Sequence, residues 1–458
     1  MCSMRGHVPT PDRLADKMVE KLFRDNPPED GERILYPGCG RGPFISAVHR
    51  YCESNNLPVP EGVAVEIDPE LYEDARKRHE DKEVEFLERD FLTDSDGLDE
   101  FEYVLGNPPY IPIEGLEEDE KGRYRREFET AEGRFDLYVL FFEQALDLLS
   151  SGGRLCFVTP EKFEYTETTA ALRRVLASFG VEEIHHVDED SFEGLVTYPT
   201  VTVIDADGRN ETRVVGRDGE VRDVDLPDDG SSWAAAVRGG EPDIGTGVTL
   251  GDVCRRISCG VATGADKVFV MDREEAPPQL DDWTYPTTSG KQLRINDGPE
   301  SGQVFVCPYD ADGRLPSRDE LGDFGDWASL YRERLEDRSC YEKGKQVWYG
   351  WHENPPMDDI LQRKLLCKDV TEEPHFWRDD SGEVVPRHSV YYLIPEEGVD
   401  IEELQEYLNS GDAQAWLEAN CQRAANGFLR LQSTVMKQLP VPEHFGDHRQ
   451  STLTAETG

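Results

Sequence analysis

The sequence predicts an α/β fold with a doubly wound sheet, followed by a second domain of mixed α+β structure. Between residues 30 and 205, short β-branched runs alternate with helical patterns, which is typical of a sheet covered by helices on both faces. After residue 206 the composition changes and Gly and Asp become dense, as expected of an insertion or linker. The length of 458 residues accommodates two domains at roughly 100–200 residues each.

Seven strands are predicted in the first domain: Arg33–Tyr36, Val63–Glu66, Val84–Leu87, Tyr103–Gly106, Arg154–Val158, Glu183–Val187 and Thr200–Asp205. The predicted helices are 12–23, Phe44–Glu53, Glu70–Glu80, Phe135–Leu149 and Glu167–Ser178. We expect Thr10 to cap the first helix, with Pro11 in its first turn. The last two strands are joined by a short segment without a helical pattern, so we expect them to pair antiparallel at the edge of the sheet.

The domain boundaries follow from these patterns. Residues 1–206 form the predicted first domain, and residues 207–247 form an insertion and linker. Residues 248–445 form the second domain, in which a helix is predicted at Ile401–Asn409, and residues 446–458 are expected to be a disordered tail.

The charge of the chain restricts its partners. Lys and Arg number 49 and Asp and Glu number 95, so the formal net charge is −46. Such a surface repels nucleic acid at ordinary ionic strength. A protein that works in molar salt escapes this restriction, because the Debye length falls to ~3 Å there. The acidic residues are spread along the whole chain, which favours adaptation to salt.

Cysteines and apolar runs indicate the compartment. The ten cysteines include no Cys-x-x-Cys pair, so we expect scattered thiols in a reducing cytoplasm and no zinc site or disulfide framework. No run approaches ~18 apolar residues, so no membrane-spanning segment is predicted.

Three features of the first domain suggest a nucleoside ligand. A strand runs into the glycine-rich turn 37–43 and then into a helix, an arrangement that brings backbone close to a ligand. Glu66 ends the next strand, where nucleoside-binding folds hold a ribose, and Asp90 with Phe91 follows the third strand. Each feature alone is also compatible with an ordinary turn or a surface acid.

The segment Asn107-Pro108-Pro109-Tyr110 is more specific, because it directly follows a strand. Two prolines restrict the backbone and remove two N–H donors. The Pro108 carbonyl and the Asn107 side-chain oxygen can then accept from one amino group, while Tyr110 stacks on a planar ring. The motif therefore suits an amine that is conjugated to a π system.

In the order of these motifs the chain resembles the gamma class of N6-adenine DNA methyltransferases, most strongly over residues 5–205. The resemblance implies a seven-stranded Rossmann-like methyltransferase sheet, S-adenosyl-L-methionine as cofactor and duplex DNA as substrate. It assigns the cofactor to these residues: Thr10, Tyr36, Gly38, Gly40, Glu66, Asp90 and Phe91. It assigns the target base to Asn107, Pro108, Tyr110 and Phe192. Tyr36 departs from the family, which usually has an acidic residue there to contact the methionine amino group.

The second domain resembles a target-recognition domain in Ile257–Phe269, Tyr407–Ser410 and Leu439–Pro442. Between Arg338 and Lys368 six basic residues outnumber four acidic ones, and Trp348, Tyr349, Trp351 and His352 lie among them. Basic residues mixed with aromatic residues are typical of a nucleic-acid face. A second basic cluster follows Tyr110 at Lys121, Arg123, Arg125 and Arg126.

These observations predict a site-specific DNA adenine-N6 methyltransferase of the restriction-modification type that needs no metal and no membrane. One alternative is a methyltransferase for glutamine amides or RNA bases, which would not need more than 200 residues of recognition domain. Another is a catalytically weak DNA-recognition subunit, for which Tyr36 is the support. No room for a nuclease domain is seen before Gly6, so a restriction endonuclease is expected only as a separate partner.

Overall fold

A computed structural model describes residues 8–95, 97–187, 198–208, 211–239, 247–295, 297–424 and 428–446. The chain divides into two compact units, with the boundary between residues 239 and 240. Phe192 and the predicted tail beyond Gly446 lie outside the described residues.

The first unit contains nine strands among its described residues. They are β1 (Arg33–Pro37), β2 (Glu61–Glu66), β3 (Val84–Glu88), β4 (Phe101–Gly106), β5 (Leu149–Pro160), β6 (Val181–His186), β7 (Pro199–Asp205), β8 (Thr212–Val215) and β9 (Val221–Val224). The helices are α1 (Asp12–Phe23), α2 (Pro43–Asn55), α3 (Pro69–Arg78), α4 (Glu118–Glu127), α5 (Leu137–Asp147), α6 (Ala170–Ser178) and α7 (Ala234–Arg238).

All nine strands form one sheet in the order β3-β2-β1-β4-β5-β7-β6-β8-β9. Strands β1 to β5 pair in parallel, whereas β7 is antiparallel to both β5 and β6. Strand β1 is buried on both sides, since Leu35 packs into one apolar core and Ile34 into the other. The doubly wound α/β fold is confirmed, and the strand order reverses between β1 and β4.

The end of the sheet differs from the prediction. Strands β6 and β7 are antiparallel as expected, but they do not form the edge, because β8 pairs parallel with β6 and β9 pairs antiparallel with β8. Part of the expected linker therefore belongs to the sheet of the first unit. The sequence shows a strand pattern at Thr212–Val215, but its Gly- and Asp-rich surroundings favoured an insertion and linker over a continuation of the sheet.

The second unit is a mixture of short helices and small sheets. Its helices are α8 (Leu250–Val253), α9 (Asp266–Phe269), α10 (Gly322–Ser329), α11 (Arg332–Glu336), α12 (Ser339–Glu342), α13 (Met357–Ile360), α14 (Ile401–Leu408), α15 (Gly411–Asn420) and α16 (Ser433–Met436). Its strands are β10 (Cys254–Cys259), β11 (Val270–Asp272), β12 (Thr284–Thr288), β13 (Gln303–Val306), β14 (Lys364–Lys368), β15 (Val370–Thr371), β16 (Phe376–Asp379), β17 (Val385–Pro386), β18 (Val390–Pro395), β19 (Gln422–Arg423) and β20 (Leu429–Arg430).

Three sheets organise these strands in the described part of the second unit: β10-β18-β14-β16, β11-β13-β12-β17 and β15-β20-β19. The first and last segments of the unit meet, because Leu250 N donates to Leu439 O and Val441 N donates to Val248 O. Within the described residues of the chain, no helix is both long and apolar enough to cross a bilayer.

Candidate active site

A cavity of about 1520 Å³ opens at the carboxyl ends of β1, β2 and β4 in the first unit. Ligands of doubly wound sheets bind at such a point, where the strand order reverses. The volume exceeds the ~300–1,000 Å³ of common small-molecule pockets, so a cofactor and part of a second ligand can share it. Five segments supply most of the wall: 8–12, 38–44, 65–71, 89–91 and 107–111.

The glycine-rich turn after β1 presents backbone to this cavity. Gly38, Gly40 and Gly42 all have positive φ, at 61°, 56° and 76°, a conformation that L side chains rarely adopt. A Cβ atom on Gly42 would lie 2.5 Å from Nε2 of His79, so a side chain is also excluded by space. The predicted close approach of backbone to a ligand is therefore possible here.

Glu66 lies at the end of β2 and is 6% exposed. Its Oε2 accepts from the backbone N–H of Gly40 at 2.8 Å, and its Oε1 accepts from that of Asp68 at 2.9 Å. These bonds connect the carboxylate to the glycine-rich turn. Because an ionised carboxylate offers about four lone-pair sites, Glu66 keeps acceptor capacity on the cavity side for hydroxyl groups.

Asp90 and Phe91 follow β3 and also line the cavity. Asp90 accepts from Leu92 N at 2.9 Å and from Thr93 Oγ1 at 2.7 Å, so its carboxylate is held in place. The buried ring of Phe91 packs against Phe141, with 5.1 Å between the centroids. Together they form a partly apolar end of the cavity with one fixed acceptor.

Two aromatic residues of this end were missed by the sequence analysis. Phe141 comes from α5 and Tyr124 from α4, and both line the cavity. Burial, followed by the nearby Asp90 carboxylate, raises the pKa of Tyr124, so its phenol stays protonated. The apolar periodicity of α5 was visible in the sequence, but it indicates core packing equally well.

The side chain of Asn107 is fixed by its two amide hydrogens. One donor bond of 2.9 Å goes to the Val8 carbonyl, and another of 3.0 Å goes to Thr10 Oγ1. Since a carbonyl can only accept, the atom that faces Val8 must be the amide nitrogen. The amide oxygen of Asn107 is then buried and has no hydrogen-bond partner among the described residues.

Thr10 therefore has a different local role from the one predicted. Helix α1 begins at Asp12 with Pro11 as its N-cap residue, and no side-chain hydrogen bond caps it. The Thr10 hydroxyl accepts from Asn107 instead, and Thr10 also lines the cavity. The expected cap was wrong because Pro11 separates Thr10 from the first helical residue.

The rest of the Asn-Pro-Pro-Tyr segment follows Asn107 along the edge of the cavity. Pro108 is buried, and its carbonyl accepts no hydrogen bond within the described part of the chain. The Tyr110 hydroxyl donates to the Val158 carbonyl at 3.2 Å, which anchors the half-buried ring to β5. Asn107 and Pro109 line the cavity, and Pro108 and Tyr110 lie next to them in the chain.

Tyr36 does not belong to this site. It is 2% exposed, and it packs in an apolar core with Phe44, Val48 and Cys52. It is absent from the residues that line the cavity. The expected contact between Tyr36 and the cofactor was wrong, because side chains alternate along β1 and this one points into the core beneath α1 and α2.

The residues that are present fit S-adenosylmethionine. Glu66 has acceptor capacity for ribose hydroxyls, and Asp90 offers a fixed acceptor beside the buried Phe91 ring. The glycine-rich turn lines the cavity with three glycines in a positive-φ conformation. Among the described residues, no group of His, Cys, Asp or Glu side chains is arranged to hold a metal ion.

The predicted nucleic-acid face at 338–368 is wrong in its aromatic part, although Lys343, Lys345 and His352 are exposed. Trp348, Tyr349 and Trp351 are buried and belong to the core of the second unit. Arg338 is also buried and donates to three backbone carbonyls, at distances of 2.7–2.9 Å. Burial of these large aromatic rings stabilises the fold. A count of charges along the sequence does not reveal which rings are buried.

The second predicted basic cluster is partly neutralised. It lies on α4, where Lys121 pairs with Glu118 at 2.8 Å and Arg123 pairs with Glu127 at 3.0 Å. These are neighbouring positions on one helix, at which opposite charges attract. The cluster is therefore a helix with mixed charge rather than a cationic patch.

Comparisons with known proteins agree with this geometry. Residues 54–192 match the family of Eco57I restriction-modification methylases. The chain is 24% identical to the Type II methyltransferase M.PaeR7I of Pseudomonas aeruginosa, covering 96% of this chain and 86% of that protein. It is 26% identical to the Type II methyltransferase M.BstVI of Geobacillus stearothermophilus, covering 96% and 90% respectively.

The fold agrees with a solved structure, that of the Type IIL restriction-modification enzyme MmeI in complex with DNA. The TM-score is 0.64 at 13% identity, and the match covers 97% of this chain and 67% of that one. Similarity at this identity establishes the fold. The chain is therefore similar to restriction-modification methylases of the Eco57I type, and its cofactor is S-adenosylmethionine.

Proposed function

We propose that this protein is a site-specific DNA methyltransferase that modifies N6 of adenine in duplex DNA. The single observation that carries the proposal is the buried amide oxygen of Asn107, a cavity-lining residue, which has no hydrogen-bond partner among the described residues and is followed in the chain by the free carbonyl of Pro108. A buried acceptor without a partner costs free energy, on the order of 1–3 kcal/mol, unless a ligand satisfies it.

An exocyclic amine is the ligand that fits two adjacent acceptors. Its two hydrogens can bond to Asn107 and Pro108 at once, which pulls the nitrogen towards sp³ geometry and frees its lone pair. The amide of Asn107 is fixed beforehand by Val8 and Thr10, so little reorganisation is needed when the base arrives. Tyr110, anchored through Val158, is the proposed stacking surface for the base.

When bound, S-adenosylmethionine would supply an electrophilic sulfonium methyl group to the amine nitrogen, with S-adenosylhomocysteine as the leaving group and one amine proton released. The target base reaches this depth only if it leaves the duplex, at a cost of a few kcal/mol. We assign Glu66 to the ribose, Asp90 and Phe91 to the adenine of the cofactor, and the turn at Gly38 and Gly40 to its methionine end. Phe192 is proposed as a second contact to the flipped base.

Adenine is preferred over cytosine for two reasons. Cytosine-N4 enzymes more often have Ser before the two prolines, whereas this chain has Asn107. Methylation at C5 of cytosine needs a Cys nucleophile, and residues 106–112 contain no cysteine. We further propose that the modification protects DNA against a separate restriction endonuclease and that the enzyme works in concentrated salt, consistent with a net charge of −46.

Expression in a bacterial host without its own adenine methyltransferases tests this function. Single-molecule sequencing of the genomic DNA should then show N6-methyladenine at one short sequence. The matched Asn107→Ala strain should show none. The proposal would be contradicted by two results together. The genome would be unmodified in both strains although folded protein is present, and the purified protein would transfer no methyl group to DNA in concentrated KCl.

A further inference from the structure

A second cleft, of about 780 Å³, lies in the C-terminal unit. Three chain segments form most of its wall: residues 289–291 after β12, residues 368–373 around β15, and residues 387–389 between β17 and β18. It is separate from the predicted nucleic-acid face at 338–368, apart from Lys368 at the end of β14. Nothing in the proposed methyl transfer uses it.

Three cations line this cleft, and none forms an ion pair with a carboxylate in the part of the chain that the structure describes: Lys291, Lys368 and Arg387. Other cations of the same unit are paired, as Lys364 is with Asp379 at 2.5 Å and Arg378 with Asp380 at 2.8 Å. Unpaired cations in a cleft are notable in a chain with 95 acidic residues. They leave positive charge available to a ligand.

The charge of the cleft contrasts with that of the whole protein. Its four carboxylates are Asp266, Asp369, Glu372 and Glu373, so the cleft is close to neutral, against −46 for the chain. Asp266 accepts from the hydroxyl of Thr263, and Asp369 lies 3.5 Å from Arg430. A polyanion meets less repulsion here than over the acidic surface in general.

Arg387 is held in one orientation by neutral groups. Its Nη2 donates to Oε1 of Gln292 at 3.2 Å and to Oε1 of Gln303. Gln303 is held in turn, because its Nε2 donates to Asp272 at 2.9 Å. The Nε of Arg387 is buried and has no partner among the described residues. The guanidinium is therefore held in one orientation without an ion pair to a carboxylate among the described residues, and Nη1 remains as the nitrogen that can donate to a ligand.

The rest of the wall offers flat and apolar surface. Lys368 Nζ lies 5.8 Å from the ring centre of Trp377, and Trp377 itself is fixed by donating to the Arg294 carbonyl at 2.9 Å. Ile295 and Val370 also line the cleft, and they are 54% and 41% exposed. Apolar side chains beside cations are suited to base edges, for example to the methyl group of thymine.

We propose that this cleft is the DNA-reading site of the C-terminal unit, with Arg387 bonding to a guanine edge and Lys291 and Lys368 binding backbone phosphates. The inference rests on the proposed function, since it presumes that the chain acts on duplex DNA. The Nη1 hydrogens of this oriented guanidinium can donate to O6 or N7 of guanine in the major groove, and flexible lysines are suited to phosphates as point charges. It follows that the recognised sequence contains a G·C pair that depends on Arg387.

Binding to duplexes with and without the methylated sequence tests this assignment, once sequencing has identified that sequence. Arg387→Lys keeps the charge but removes the oriented guanidinium donor, so affinity for the specific duplex should fall roughly 5- to 150-fold while affinity for a scrambled duplex changes little. Lys291→Ala should weaken both duplexes and reduce the slope of log K against log salt by about one. Arg273→Ala removes an exposed cation of the same unit outside the cleft and should change neither.

Thermal melting confirms that each variant is folded. Because Lys291 is exposed, Lys291→Ala still tests the cleft even if Arg387→Lys is unstable. If wild-type protein methylates DNA but Arg387→Lys and Lys291→Ala bind as Arg273→Ala does, the cleft is not the reading site and the proposed function stands. If wild-type protein neither methylates nor binds duplex DNA, both proposals fail. An Arg387→Lys variant whose methylated sequence loses its preference for one guanine would support the assignment directly.

Discussion

Replacing Glu66 by Gln should weaken cofactor binding by ~1.5–3 kcal/mol, or roughly 10- to 150-fold. Glu66 accepts one hydrogen bond on each oxygen, from Gly40 N at 2.8 Å and from Asp68 N at 2.9 Å. Glutamine has one oxygen, so its NH2 group must face one of these N–H donors and leave it unpaired. The ribose hydroxyls also lose a charged acceptor, and such hydrogen bonds contribute ~1.5–3 kcal/mol each.

Isothermal titration with S-adenosylhomocysteine, without DNA, measures this effect directly. Glu70→Gln is the matched control, because Glu70 lines the same cavity and the substitution removes the same charge from an exposed position. The control should bind like the parent protein. If Glu66→Gln binds S-adenosylhomocysteine as tightly as Glu70→Gln and the parent protein do, the reasoning is refuted. Glu66 would then only hold the glycine-rich turn in place.

Three further predictions concern the base, the core and salt. Asn107→Ala should lower the single-turnover methylation rate by ~100-fold or more while S-adenosylhomocysteine still binds, and a rate near that of the parent would exclude polarisation of the amine. Tyr36→Phe should leave cofactor affinity unchanged because Tyr36 lies in the core, and a tenfold loss of that affinity would show that Tyr36 contacts the cofactor after all. DNA binding should persist in molar KCl with a shallow salt slope, whereas ordinary binders lose ~10³–10⁵ in affinity between 50 and 200 mM, and a steep loss here would contradict salt adaptation.

The first unit was predictable where its signals are local. Each of the seven predicted strands overlaps an observed one, because β-branched runs and turn residues act within a few positions. The glycine-rich turn, Glu66, Asp90 and Asn107 come from four different strand ends. The structure nevertheless brings them to one cavity, since parallel strands end at the same edge of a sheet.

Features that depend on tertiary packing were not predictable in this way. The hydroxyl of Thr10 bonds to an amide 97 residues away, a relation that no local pattern contains. Trp351 is fully buried although its sequence neighbours are basic and aromatic, since burial depends on what packs against a segment. Arg387 was overlooked because its orientation comes from Gln292 and Gln303, which lie 95 and 84 residues from it.

The central claim is that this cavity methylates the exocyclic amine of adenine. Nucleoside mass spectrometry tests it most directly, after purified protein has acted on unmethylated duplex DNA with S-adenosylmethionine in concentrated KCl. We predict N6-methyladenine as the only modified nucleoside, and none from the Asn107→Ala variant. N4-methylcytosine in the DNA, or methylated glutamine in a protein substrate instead, would contradict the account.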